Sequence, residues 1–250
     1  MISYFILMPA ILIISLILTM VGLGGGLIFA PLFILLAFPP STAISASLFL
    51  NGIAALSAAI IYFRNKMVDF QLALPLIITS TLAAPLGALF TSKIDRKVLT
   101  GLLALIVFCA ALRMLFGSKA ESREIAVGFW RKTVGSCTIG LSIGFIGGLL
   151  GIGGGVFIVP LLIYVLKAPP KTAAATSIFI VVFSSFSGFV GHIAMTPIDW
   201  RFILPAACFS FAGAQIGSRL MVTKIKPMMI KRIFGIILLL FAFRLLFKIQ

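Results

Sequence analysis

Charge is what this chain has least of. Only 10% of its 250 residues are charged, and only five of those are acids, where a soluble domain carries about 25% charged residues. The acids Asp69, Asp95, Glu121, Glu124 and Asp199 are scattered, and there is one histidine, His192. No carboxylate pair and no histidine–metal cluster can be assembled from them, so general acid–base and metal-assisted chemistry have no residues to run on. The three cysteines, Cys109, Cys137 and Cys208, stand alone in apolar surroundings with no CxxC. Neither a redox relay nor a thiolate metal site is supported. The chain is therefore not expected to be an enzyme, and no cofactor or metal is expected.

What is present is hydrocarbon. Apolar residues make up 62% of the sequence and run along its whole length, the pattern of an all-α integral membrane protein. The first twenty residues, MISYFILMPAILIISLILTM, lack a basic start and a small-residue cleavage site. They read as the first membrane segment and not as a signal peptide. The formal net charge of +15 has no basic helix or aromatic–basic interleaving behind it, so nucleic acid is not an expected partner. The lipid bilayer is.

About ten apolar segments can be marked, near 3–21, 24–37, 42–63, 70–91, 97–116, 133–150, 153–166, 172–193, 200–219 and 229–247. The second and seventh are too short to span about 30 Å of hydrocarbon as helices. Each begins at a glycine cluster, GLGGG from Gly22 or GIGGG from Gly151, and each ends at a proline pair, Pro39-Pro40 or Pro169-Pro170. Those pairs are signs of a duplication. PPSTAISASLF matches PPKTAAATSIF, DFQLALP matches DWRFILP, and the offset drifts only from 129 to 131 residues. The chain is expected to hold two five-segment repeats, 1–118 and 133–250, joined by a charged cytoplasmic linker at 119–132, with short or re-entrant helices at the glycine clusters.

An odd number of segments per repeat inverts the second relative to the first. Loops 64–69, 111–132, 167–171 and 219–232, all on one side in that arrangement, hold fourteen of the twenty Lys and Arg residues. The positive-inside rule then puts both termini in the periplasm.

Two readings of the glycine clusters are open. Gly22 and Gly26, like Gly151 and Gly155, form GxxxG pairs that let membrane helices pack closely. Alternatively, Gly24, Gly25 and Gly26 in one half and Gly153, Gly154 and Gly155 in the other offer backbone amides at the positive end of a short helix, a site for an anion. Beyond each proline pair, Thr42 and Thr172 read as helix N-caps, while Ser47, Asn51, Thr176 and Ser177 are candidate donors. Their alternative role is interhelical hydrogen bonding. Gln215 is a lone amide in the ninth segment whose repeat partner is Pro85, and it is a further candidate. Asp69 and Asp199 open segments four and nine as expected N-caps.

The GxGGG clusters, a proline five residues on (Pro31, Pro160), the PP-x-T-A blocks and the Ser-[Leu/Ile]-Phe blocks resemble the TauE/SafE family of sulfite-exporter permeases over essentially the whole chain. The resemblance implies a bacterial inner-membrane permease for small sulfur-containing anions such as sulfite or organosulfonates. A secondary permease, moving anions outward by alternating access between inverted repeats, is the reading that joins this to the residues. An anion channel, or a membrane assembly protein that uses its small-residue stripes to grip partner helices, is the alternative.

Overall fold

The computed structural model describes residues 4–90, 108, 111–112, 114–115, 129–150, 155–193 and 199–247. Among the described residues all regular structure is α-helical. The helices are α1 (Tyr4–Val21), α2 (Gly26–Leu35), α3 (Pro40–Arg64), α4 (Phe70–Phe90), α5 (Phe129–Leu150), α6 (Gly155–Tyr164), α7 (Pro170–Ile193), α8 (Trp200–Thr223) and α9 (Pro227–Phe247). They fall on nine of the ten segments read from the sequence. Most of the fifth, and linker residues 119–128, lie outside the described residues; α5 starts four residues before the segment expected at 133.

Local chemistry sets the boundaries. Both α3 and α7 begin at the second proline of their pair. Proline suits the first helical position because its missing N–H would be unsatisfied there anyway. This corrects the expected caps. Pro39 holds the cap position of α3 with no side-chain bond, and Thr42 and Thr172 lie inside the first turn of their helices. The aspartates do cap. Asp69 Oδ1 accepts from the amides of Gln71 (3.0 Å) and Leu72 (3.3 Å), and Asp199 Oδ1 accepts from the amide of Arg201 (3.0 Å). The short helices end at matched positions. Ala37 and Lys167, 130 residues apart, both adopt positive φ (64° and 56°) just before a proline pair. In α2 this closes the helix with Phe38 N–H donating to Phe33 C=O at 3.0 Å, the return pattern of a left-handed helix end. At ten residues each, α2 and α6 are about 15 Å long, shorter still than the sequence suggested.

The halves pack across one another. α1 lies along α8, α4 along α5, and α3 against both α7 and α8. Glycines allow the two closest pairs. A Cβ on Gly213 or Gly217 would strike the α1 backbone at Leu12 and Leu16; on α4, one on Gly140 would strike Thr79 Oγ1 and crowd the Leu76 backbone, and one on Gly144 would strike the Ser80 backbone. The order of these contacts means that each pair runs parallel. α1 and α3 run in the same direction too, since Ser210 joins Ser15 to Leu50 and Tyr62 reaches Thr19. α2 therefore turns back between them. By contrast α3 and α7 run in opposite directions, with Leu48 against Gly188 and Asn51 against Ser185.

Among the described residues two stretches are long and apolar enough to cross a bilayer by length and composition, Thr42–Arg64 and Pro170–Val190, each with mean hydropathy 1.9. They are also the protein's central pair, with Ala54, Ala55, Ala58 and Ala173 to Ala175 buried. The outer faces are apolar as well: Leu35 is 74% exposed, Leu82 67% and Leu240 66%. Such faces suit contact with lipid chains and not with water.

Candidate functional site

Where α1 stops, the chain cannot continue as a helix. Gly22 (φ 90°) and Gly24 (φ 69°) are left-handed, a conformation that costs other residues about 1–2 kcal/mol. Gly22 also has no room for a side chain, since its Cβ would sit 2.6 Å from Ala174 Cα at the start of α7. Ser177 Oγ locks the turn from the other half of the chain by donating to Gly22 C=O at 2.8 Å.

The turn aims the start of α2 at Asn51. Gly25 is the N-cap residue and has no side chain to supply. The missing cap comes from α3: Asn51 Oδ1 accepts from both Gly25 N–H and Gly26 N–H, the second at 2.8 Å. Two donors on one oxygen fix which end of the Asn51 amide is which. Its Nδ2 then donates to Ser185 Oγ on α7 at 2.7 Å. Asn51 is buried, so one side chain joins the α2 start to the opposing central helix. Ser47, one turn earlier on α3, donates to Gly26 C=O at 3.2 Å. Val181 of α7 closes the remaining side against Gly24.

This arrangement has the chemistry of an anion cradle with a neutral occupant. Two successive amides at the positive end of a helix converge on a single oxygen, as they would on an oxygen of a bound oxyanion. Here that oxygen belongs to a carboxamide.

The structure brings Gly24, Gly25, Gly26, Ser47 and Asn51 together, with Ser177 one contact away through Gly22. Thr176 sits beside Ser177 but its Oγ1 accepts from Asp69 N–H at 3.0 Å, at the start of α4. Gln215 lies apart, on α8 beside Ser57, six residues beyond Asn51 on α3 and so about 9 Å along that helix. Ser57 Oγ stands 2.9 Å from both Phe211 C=O and Gln215 Oε1. A hydroxyl has one proton, so turning the Gln215 amide to donate satisfies both contacts. Gly153 and Gly154 lie outside the described residues, and Gly155 is the first residue of α6.

Sequence reasoning passed over Ser185 and the role of Gly22. The polar run Ser184-Ser185-Phe186-Ser187 in the middle of an apolar helix was the available signal for the first. A second polar seam stands beside the cradle. Ser210 Oγ donates to Leu50 C=O at 3.1 Å, so Ser15 must donate to Ser210 in their 2.9 Å contact.

The family model described as "Sulfite exporter TauE/SafE" matches residues 7–245. The chain belongs to the TauE/SafE family. Similar proteins span nearly all of it. "Probable membrane transporter protein YunE" of Bacillus subtilis (strain 168) is 27% identical over 270 residues, 98% of each chain. "Probable membrane transporter protein ORF9" of Sinorhizobium sp is 28% identical over 213 residues, 83% of this chain and 80% of that one. A shorter stretch, 82 residues or 33% of this chain and 16% of the other, is 37% identical to "Sulfite exporter TauE/SafE family protein 3" of Arabidopsis thaliana. No solved structure matches. As a TauE/SafE membrane transporter, this chain holds its lipid-facing helices and its buried cradle in a bilayer.

Proposed function

We propose that this TauE/SafE protein is a secondary permease that carries small sulfur-containing anions, sulfite or organosulfonates, outward across the bacterial inner membrane. Repeats 1–118 and 133–250, inverted and joined by 119–132, rock against each other around a central site, with both termini in the periplasm. The opposed directions of α3 and α7, the helices that open at matching proline pairs, support the inversion. The family's printed description supports the substrate class.

The observation that carries the reading is the convergence of the Gly25 and Gly26 amides on Asn51 between the halves. In the empty protein Asn51 satisfies the helix start. An arriving anion takes over the amides, and Asn51 swings aside to donate its N–H to the substrate. Gly24 and Ser47 border this position, and Gly153, Gly154 and Gly155 supply amides from the opposite half. Thr176 and Ser177 hold the surrounding turns, and Gln215 joins α8 to α3 at Ser57. No coupling cation is needed for export, since an inside-negative potential drives an anion outward by about 2.3 kcal/mol per charge per 100 mV.

The test is efflux of labelled sulfite from proteoliposomes held at an inside-negative potential. Saturable efflux with counterflow is expected, without a proton or Na⁺ gradient. Efflux that never saturates would make the protein a channel. Absence of flux for every sulfur oxyanion would leave the reading without support.

A further inference from the structure

The end of α3 carries a feature that transport of a small anion does not use. Phe63, Arg64, Lys66, Val68 and Phe70 line an open groove of about 430 Å³ where α3 turns into α4. The turn is held in shape. Lys66 is left-handed (φ 53°), its amide donates to Phe63 C=O at 3.0 Å, and Asn65 Nδ2 donates to Ile61 C=O at 2.8 Å. Arg64 and Lys66 are exposed. Among the described residues neither has a carboxylate within ion-pairing distance, and nearby Asp69 spends an oxygen capping α4.

Below the cations runs an aromatic track. Phe63 meets Phe70 edge-on at 5.9 Å, Phe70 meets Phe179 at 5.5 Å, and Phe179 meets Phe183 at 5.5 Å. Phe63 is 56% exposed and Phe183 46%, so the track faces outward from the helices. The other half carries a ring track of its own, Trp200 against Phe49 at 5.9 Å and Phe49 against Phe189 at 5.0 Å, but not the two loop cations. Where the first repeat reads FRNKMVDF, the second reads IAMTPIDW, with no cation.

We propose that this groove binds an anionic phospholipid of the leaflet facing the basic loops, its phosphate between Arg64 and Lys66 and an acyl chain along Phe63, Phe70, Phe179 and Phe183. Exposed cations with no carboxylate partner among the described residues, at the head of an outward apolar track, complement a molecule that has both parts. A free phosphate would use the head and leave the track bare. Rings at the matching place in the other half show that the track alone is not the signal; the signal is the pair of loop cations set at its head, which only the 63–70 turn has.

The experiment uses delipidated full-length protein in neutral detergent. Its melting temperature is followed with phosphatidylglycerol, with phosphatidylcholine of the same chains, and with glycerol 3-phosphate. Native mass spectrometry counts retained lipid. Phosphatidylglycerol should raise the melting temperature by several degrees and be retained several-fold over phosphatidylcholine, while glycerol 3-phosphate does neither. Arg64→Gln with Lys66→Gln should abolish the preference, and Lys224→Gln with Lys226→Gln, which removes equal charge elsewhere, should keep it. If the first pair does not purify, Lys66→Gln alone should weaken it. Equal effects of the two lipids overturn the proposal. So does a preference that survives loss of the groove cations, one lost equally in the control pair, or a response to glycerol 3-phosphate alone.

Discussion

The sequence blocks that match between the two halves open helices at the same places but do not carry the same chemistry. At the first glycine cluster, Asn51 caps the start of α2. At the second, the residue 130 positions on is Val181, which has no polar side-chain atom to offer α6 and instead packs against Gly24 of the first half. Thr176, which supports the start of α4, is matched by Ala46. Ser185, which receives the Asn51 amide, is matched by Ala55. The proposed duplication requires matching breaks and matching helix starts. The proposed central site, used by one ligand at a time, does not require matching donors.

The contrast between shape and chemistry can be broken hardest at Gly22 and Gly25, three residues apart. Gly22→Ala combines a left-handed backbone, about 1–2 kcal/mol, with a collision against the Ala174 backbone, where overpacking costs about 1–3 kcal/mol. A loss of about 3 kcal/mol, read as a large fall in melting temperature or as failure to purify, is expected. Gly25 has an ordinary φ of −100°, and the atoms nearest its Cβ would be those of the buried Phe29 ring, which must shift at a packing cost, with no backbone strain added. Gly25→Ala should fold and lose anion affinity. Two proteins equally destabilised would mean that the cluster serves packing alone.

Asn51 sharpens the same contrast with a smaller effect. Asn51→Asp keeps the acceptor and gives it full charge. Hydrogen bonds to charged groups contribute about 1.5–3 kcal/mol against about 0.5–1.5 for neutral ones. A permanent internal carboxylate then competes with the substrate, and a difference of about 1.4 kcal/mol weakens anion binding about tenfold. The variant should be as stable as wild type and transport poorly. Asn51→Leu removes the acceptor and should instead lose about 1–3 kcal/mol of stability, through buried donors left unpaired. Wild-type sulfite affinity in Asn51→Asp would remove the helix start from the transport site.

Much of this architecture was legible because it is local. Proline pairs, capping aspartates and glycine clusters act through their own backbone or the next turn, so their positions in the sequence are their positions in the fold. The Thr42 and Thr172 caps failed for a local reason too, since a proline at the first helical position starts each helix ahead of its threonine, and the cap of α3 falls at Pro39, before Thr42. The cradle was only half legible. Asn51 and the glycines stood out separately as polar or unusual residues in apolar segments. Their pairing depends on α2 turning back between α1 and α3, which no periodicity within 25 residues encodes. Ser185 was hidden for the same reason. Its partner lies 134 residues away, across an interface between halves.

Thr176→Val makes the finest distinction. Valine keeps the shape of threonine and removes its oxygen, so Asp69 N–H loses its acceptor. One net hydrogen bond contributes about 0.5–1.5 kcal/mol, and Asp69 still caps α4 through its own carboxylate. If Thr176 only supports that helix start, the variant melts slightly earlier and binds sulfite like wild type. Ala46, its counterpart in the first repeat, already does without a hydroxyl there. If Thr176 instead turns to the anion during transport, affinity falls while the melting temperature barely moves. Titrating sulfite against both proteins, with melting curves on the same samples, decides which of the two partners holds the hydroxyl when it matters. A fall in affinity would add a hydroxyl of α7 to the binding surface, beside the glycine amides proposed from both halves.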